Sequence, residues 1–496
     1  MSIESKILQI LKPAIPLDEI SVDDLQKYES STNSNSSSYN KDEKGDEDRA
    51  APDKTPIIKI RDYFFITSEI DFIQIKVGSS FLPEIICSLI PQGGIFLSKS
   101  FPKDGDLLSY FLASKSNEFK PIRIDFEIIR ISSQPSVDSQ GDISQYTFTG
   151  IMRIPLLYGE WIKSFNQVTS LDCLLEVCQE INLGFATNET STNDKMTWIN
   201  PYETWKTFME KVTTSSWKDQ SSFYTSFIDQ YYNFNFVNVN NQFAGENVID
   251  EGFVKSMLQS RKLPTDGPQD NLQTKLVLSN NDAARNSNLY IESYTLLNDS
   301  GEIVMNNGYG RYMQFYSPDT KKYYNDQLIE PINNSTGDDL PLRGRNNEDY
   351  QKKVRKYKWM GIDRPSSKGN YHDNYLYAKI QNLQNNSEIK KMTLLVQLQM
   401  CNFNFYRFQK IPVVITVTGN PQRNQSNTDN TPNQDGEEGK GAKTAEITVD
   451  PFLTGFYVID EILYIYDNNV FRQQLKLIRR EWPLTTSDQV VSPENK

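Results

Sequence analysis

Apolar and polar residues change their spacing several times along the chain, and each change marks a region. From Ile57, "IIKIRDYFFITSEIDFIQIKV" and, from Pro121, "PIRIDFEIIRISS" mix β-branched and aromatic residues in partial period-two alternation, which predicts short half-buried strands. Turn residues separate them at Gly93-Gly94, at Pro102 to Asp106 and at Ser136 to Gly141. The run "YTFTGIMRIPLLY" closes this texture at Tyr158, so residues 55–158 are expected to form a first β-barrel or sandwich.

After Tyr158 the period lengthens. "TSLDCLLEVCQEINLGF" places Leu171, Leu174, Leu175, Cys178 and Ile181 on one helical face, with Thr169 or Ser170 at the N-cap and Gly184 at the stop. A second helix is expected to begin at Asn200-Pro201-Tyr202-Glu203: Asn200 as cap, Pro201 in the first helical position, and Glu203 closing a capping box. Trp205, Phe208, Met209 and Val212 give its apolar stripe, and Tyr232, Phe234, Phe236 and Val237/Val239 suggest a strand or two. Residues 159–265 therefore read as an α+β insert.

A second β-rich region, 266–485, follows. "TKLVLS", "NLYIESYTLLND", "YLYAKIQNL", "MTLLVQLQM", Ile411 to Gly419, "TGFYVIDEILYIYD" and "VFRQQLKLIRREW" all read as strands. The polar loop 422–443 interrupts them and is too long and too polar to pack; 486–496 is expected to be a loose tail. At the other end, Ile3, Ile7, Leu8, Ile10 and Leu11 suggest a short amphipathic helix stopped before Pro13 and suited to docking elsewhere. Residues 30–54 are Ser/Asn-rich and then charged, a disordered linker, so 1–54 is set apart from the folded chain.

Composition narrows the chemistry. The chain has 496 residues with 52 Lys+Arg against 64 Asp+Glu, a net charge of −12. That length predicts two to four domains at roughly 100–200 residues each. One histidine, His372, excludes a multi-His metal centre, and no nucleophile elbow exists for it to serve as a base. Four cysteines do not make a disulfide framework. Cys87 and Cys401 lie far apart, Cys173 and Cys178 share a helical stretch, and all four are expected to be buried free thiols. No stretch approaches the roughly 20 apolar residues of a membrane span, and no signal-like segment opens the chain, so a soluble protein made in a reducing compartment is expected.

Other motifs are weak. Lys352, Lys353, Arg355, Lys356 and Lys358 interleave with Tyr357 and Trp359 as a nucleic-acid patch would, but within an acidic chain such a run reads as solvated or protein-contacting surface. Asp104-Gly105-Asp106 lacks the further ligands of a calcium loop and reads as a hairpin turn. "GYGR" at 308–311 has neither the Lys-Ser/Thr nor the strand-to-helix setting of a phosphate loop. Paired carboxylates stay open as a class, and a carbohydrate-binding protein or glycoside hydrolase is the alternative they leave. No catalytic, cofactor-binding or metal-binding residue is assigned, and no cofactor is expected.

Taken in order, "FLPEI", "PKDGD", "RIPLLYGEW", "LGFATNETSTNDKMTWINPYETWKTF", "NYHDNYLYAKIQNLQNNSEIKKMTL", "NFNFYRFQKIPVVITVTGNP" and "TGFYVIDEILYIYDNNVFRQQLKLIRREWP" form a distinctive succession. It resembles the baseplate hub proteins of tailed bacteriophages, a fold shared by T-even-type hubs, tail-tip hubs of contractile injection systems and late-control tail proteins. The resemblance covers Ile57 to Pro483 and is most specific in the last strand pair. It implies a mainly β chain with two hub-type β-barrels separated by a small α+β domain, and a homotrimeric ring with pseudo-six-fold symmetry. It further implies a structural, non-enzymatic role in the virion tail baseplate, after synthesis in the host bacterial cytoplasm. The implied partners are the six-fold tail tube protein, a three-fold central spike and other baseplate proteins. DNA would pass through the ring without specific binding, and no membrane insertion is implied. A net negative charge suits such a bore, since phosphate binding needs Lys and Arg. Some members carry a fused lysozyme or peptidase domain, for which no globular block is expected after Pro483.

Overall fold

The computed structural model describes residues 6–15, 56–135, 144–244, 249, 277–298, 312–327, 371–418 and 447–479, with short breaks at 79, 92–93, 95, 114–118, 282–283, 286, 318–320, 390–391 and 451. The linker 30–54, the Gly308–Arg311 motif, the Lys352–Trp359 patch, the loop 422–443 and the tail 486–496 lie outside the described residues.

A lone strand β1 (Leu8–Leu11) precedes the first β region. That region comprises β2 (Ile57–Ile60), β3 (Tyr63–Phe65), β4 (Ile70–Val77), β5 (Glu84–Leu89), β6 (Leu107–Leu112), β7 (Ile122–Pro135) and β8 (Ser144–Met152). Next come β9 (Glu160–Val168), α1 (Ser170–Glu180), β10 (Gly184–Thr187), β11 (Met196–Thr204), α2 (Trp205–Ser215), β12 (Tyr224–Ile228), β13 (Asn233–Asn238) and α3 (Val239–Phe243), which make the insert. The second β region holds β14 (Leu278–Ser279), β15 (Ile291–Asn298), β16 (Tyr312–Ser317), β17 (Lys322–Gln327), α4 (Tyr375–Glu388), β18 (Met392–Leu398), β19 (Lys410–Val414), β20 (Thr416–Thr418), β21 (Ile447–Val449), β22 (Gly455–Asp467) and β23 (Val470–Arg479).

The two β regions share a single curled 13-stranded sheet in the order β15-β18-β23-β22-β4-β5-β8-β7-β6-β2-β3, with β19 paired to β22 and β14 to β19. The seam is the antiparallel pairing of β22 with β4, from Ile462 opposite Val77 to Asp467 opposite Phe72. β22 carries β19 over its first residues and β4 over its last ones. Its register against β23 shifts between Ile459 and Glu461, which leaves Asp460 at the changeover as a bulge. One core cluster runs from the first β region through the insert to the second, including Phe126, Phe185, Trp205, Tyr464 and Leu475.

Helices α1 and α2 bury the residues their spacing indicates: Leu171, Leu174, Cys178 and Ile181 on the first, and Trp205, Phe208, Met209 and Val212 on the second. Thr169 caps α1 by accepting from the Asp172 amide. The helix stops earlier than expected, through Asn182 in the left-handed region (φ 61°), and Gly184 already belongs to β10.

Three elements correct the sequence reading. Residues 8–11 form a strand on the insert, not a helix, with Leu8 opposite Thr187 and Leu11 opposite Phe185. So short a helix has too few internal bonds to persist, whereas the β10 edge offers ready backbone partners. Tyr375–Glu388 is a helix rather than a strand. Its Tyr residues suggested β structure, but Ala, Leu, Lys and Gln fill it and favour helix, and Ala378 and Asn382 are buried four residues apart. Asn200 does not cap α2. Its side chain closes on Glu203, accepting from that amide at 2.8 Å and donating to that carbonyl at 3.0 Å. This loop forces Tyr202 to φ 79° and prolongs β11; Thr204 caps the helix instead, accepting from the Thr207 amide at 3.3 Å.

Candidate assembly surface

The outer face of the large sheet is a ladder set by the strand register. Gln474, Leu463, Lys76, Glu84, Ile151 and Glu127 follow one another across β23, β22, β4, β5, β8 and β7. The adjacent row, Gln473, Tyr464, Ile75, Ile85 and Gly150, faces the core and is buried. Two polar contacts form within the face. Lys76 Nζ lies 3.1 Å from Glu461 Oε1, and the Gln397 amide donates to Glu292 Oε2 at 3.1 Å. Ile86 and Leu395 stand exposed among them. A broad face that mixes polar, charged and scattered apolar side chains suits contact with another protein surface.

A second apolar patch sits where the insert begins. β9 and β11 form a two-stranded ribbon with Pro201 opposite Ile162 and Glu203 opposite Trp161. Ile162 is 79% exposed and Tyr202 60%, and Ile199, Trp161 and Tyr158 are exposed beside them. The cations of this area are already engaged: Lys163 pairs with Glu176 at 3.0 Å and also with Glu180, and Lys211 pairs with Glu203. Trp161 and Ile162 are adjacent large apolar residues in one strand, which cannot both face inward; that adjacency is the sequence signal for this patch.

Behind these faces, Arg407 joins three parts of the chain. Its Nε donates to the Asp460 carbonyl at 2.7 Å and its Nη2 to Asp460 Oδ1 at 3.2 Å. The guanidinium also lies 4.7 Å from the ring centre of Phe227 in the insert and 4.8 Å from that of Phe408. It borders a cleft of about 210 Å³ lined also by Phe227, Asp229, Tyr231, Phe403 and Tyr406. The cleft's carboxylate is committed to holding its own loop. Asp229 accepts from the Tyr231 and Asn233 amides and from the Asn233 and Asn235 side chains. Burial raises its pKa, against the pull of those hydrogen bonds.

The residues singled out for chemistry are placed elsewhere. His372 is buried, with Nε2 3.0 Å from the Ser215 carbonyl, so this nitrogen carries the proton and donates. Trp198 and Tyr375 pack around it, and burial pushes its pKa down. The four cysteines are buried free thiols, and burial pushes Cys87, Cys173 and Cys178 above the ordinary thiol range. Asp104-Gly105 forms a turn into β6, closed by the Lys103 amide donating to Asp106 Oδ2 at 2.8 Å. Among the described residues no group of His, Cys, Asp and Glu is arranged to hold a metal ion, and no helix is long and apolar enough to cross a membrane.

No protein-family model matches the sequence, and no curated protein matches it. Solved structures are similar over most of the chain. The tail protein from Neisseria meningitidis shares 8% identity at a TM-score of 0.46, covering 86% of this chain and 96% of its own. The 43 kDa tail protein of prophage MuSo2 from Shewanella oneidensis shares 9% identity at 0.45, covering 86% and 98%. An Escherichia coli component of the type VI secretion system, itself structurally similar to bacteriophage tail proteins, shares 10% identity at 0.36, covering 86% and 77%. The chain is thus similar to tail proteins of phage type and to a secretion-system component.

Proposed function

We propose that this chain is the structural hub of a phage-type tail baseplate. In this reading three copies form a ring in which each supplies two barrel-like halves of its sheet. The six halves meet a six-fold tail tube on one side, the other side receives a three-fold spike, and the bore passes DNA during ejection without binding it specifically. The observation that carries the reading is the β22–β4 seam. It fuses two β regions, far apart in sequence, into one curled wall that carries the Lys76–Glu461 ion pair on its outer face. Such a wall is built for contact, and the insert hangs from it with an exposed apolar ribbon for neighbouring proteins. The test is to mix the purified chain with the tube and spike proteins of the same particle and measure mass and shape by light scattering and electron microscopy. Rings of three copies are expected. A chain that stays monomeric with both partners present overturns the proposal.

A further inference from the structure

We infer that the cleft beside Arg407 is a socket for a carboxylate, the Asp or Glu side chain of a neighbouring protein in the assembly. This rests on the reading of the chain as an assembly component and names a contact apart from both exposed faces.

The cleft lies where the three parts of the chain meet. Val77 comes from the first β region, Gln230 and Tyr231 from the insert, and Phe403, Tyr406 and Arg407 from the second β region. Its volume is about 210 Å³. Pockets that bury a whole small molecule run to roughly 300–1,000 Å³, so this one has room for a side chain rather than a cofactor.

Its unmet polar groups are mostly donors. Arg407 is 8% exposed and commits Nε and Nη2 to Asp460, but among the described residues no hydrogen bond reaches its Nη1. Gln230 is 4% exposed, and among the described residues none reaches its carboxamide either. A buried amide without a partner costs stability, which a ligand in the cleft would relieve. Lys120, exposed in the same lining, lies with Nζ 4.6 Å from the Tyr231 ring centre and forms no ion pair among the described residues. The one acid in the lining, Asp229, has both oxygens taken by the amides and side chains of its own turn.

A guanidinium edge, an ammonium and a carboxamide together complement a carboxylate. Two cations against one acid give the lining a positive balance within a chain of net charge −12. Phe227, Phe403 and Tyr406 supply apolar wall, which suits the methylenes of a side chain better than a free ion. The socket is also pre-formed. The Tyr232 amide donates to the Asp229 carbonyl at 3.2 Å and the Asp229 amide to the Asn233 carbonyl at 3.0 Å, which fixes the turn carrying Gln230 between β12 and β13.

The probe is N-acetyl-Phe-Glu-amide, compared with N-acetyl-Phe-Gln-amide and with acetate, added to the full chain and read by saturation-transfer NMR. The Glu peptide is expected to bind about tenfold or more tightly than the Gln peptide, the usual weight of hydrogen bonds to a charged group, and more tightly than acetate. Gln230→Leu and Lys120→Gln should each weaken it severalfold. Gln230→Leu exchanges an unpartnered amide for an apolar group of similar size, so its melting temperature should not fall; a fall would show that Gln230 serves the fold instead. Equal binding of the two peptides, acetate binding as tightly as the Glu peptide, unchanged binding by both variants, or no binding at all overturns the socket. Those results leave the hub reading standing if rings of three still form. A chain that binds the Glu peptide yet stays monomeric with tube and spike proteins overturns the hub reading and supports the socket.

Discussion

Arg407 and Asp460 form a buried ion pair at the changeover of β22, where the strand passes from β19 to β4. The pair is more than a charge contact, because the Arg407 Nε also satisfies the Asp460 backbone carbonyl. Arg407→Met keeps much of the volume but removes the cation 3.2 Å from Asp460 Oδ1, while Lys476 stays 3.7 Å from Oδ2. The expected loss is about 3–5 kcal/mol of unfolding free energy, the usual cost of stripping one partner from a buried pair. Urea unfolding checks it. Arg407→Met with Asp460→Asn should recover a substantial part of the loss, because no full charge is then stranded.

Gly78 lies against the same pair. It has φ +105°, and a Cβ would stand 2.7 Å from the Asp460 carbonyl oxygen and 2.8 Å from Arg407 Cδ. Gly78→Ala should therefore cost about 2–4 kcal/mol, combining an unfavourable backbone region with a backbone clash. Gly105 separates the two effects. It has φ +86° with nothing within 4 Å of its Cβ position, so Gly105→Ala should cost only about 1 kcal/mol. Equal losses at the two sites, read by thermal or urea unfolding, would refute the packing argument.

Helix α4 shows where the sequence was readable and where it was not. The stripe Trp205, Phe208, Met209, Val212 was legible because its residues touch one core through one period, and the last two long strands were legible from their alternation. α4 was not, because a buried residue that anchors it, Asn382, is polar. The Asn382 side chain donates to the carbonyls of Thr213, Thr214 and Ser216, and accepts from the Tyr224 amide at 2.9 Å. A hydrophobicity pattern has no means to register a helix held by amides. The same holds for β1, whose partner edge lies some 175 residues away in sequence. Asn382→Ala should remove one hydrogen bond from each of four backbone groups, of which the Thr213 carbonyl still accepts from the Ser216 amide, and cost about 2–4 kcal/mol in unfolding experiments. A loss under about 0.5 kcal/mol would mean that water replaces these bonds freely.

His372 makes stability depend on acidity in a defined direction. Burial lowers its folded-state pKa below the ordinary 6.5, although the Ser215 carbonyl, Asp194 and Asp373 pull the other way. The unfolded chain therefore binds a proton at a pH where the folded chain does not. Its contribution is fully present above about pH 6.5 and is lost as pH falls through the depressed folded value. His372→Gln keeps a donor for the Ser215 carbonyl but does not titrate. The difference in melting temperature between wild type and variant should thus shift in the variant's favour from pH 7 to pH 5. A difference that is flat with pH would show that the imidazole does not titrate on unfolding in this range.

The exposed ribbon gives the sharpest test of the proposed function, because two of its apolar residues, Ile162 and Ile199, are exposed and do little for the fold. Ile162 and Ile199 project from β9 and β11 into solvent, and the Trp205 stripe beneath holds the insert without them. Ile162→Lys with Ile199→Lys should change unfolding free energy by no more than about 0.5 kcal/mol, as surface substitutions away from special features do. The same substitutions place two desolvated charges in any protein interface formed there, which costs several kcal/mol and should reduce incorporation into tail assemblies at least tenfold. Quantitative co-assembly with tube, spike and baseplate proteins, read by sedimentation, checks this. Unchanged stability with undiminished incorporation would show that the ribbon faces solvent in the finished particle. The ladder of Leu463, Lys76 and Glu84 would then be the next surface to test for the contacts of the proposed hub.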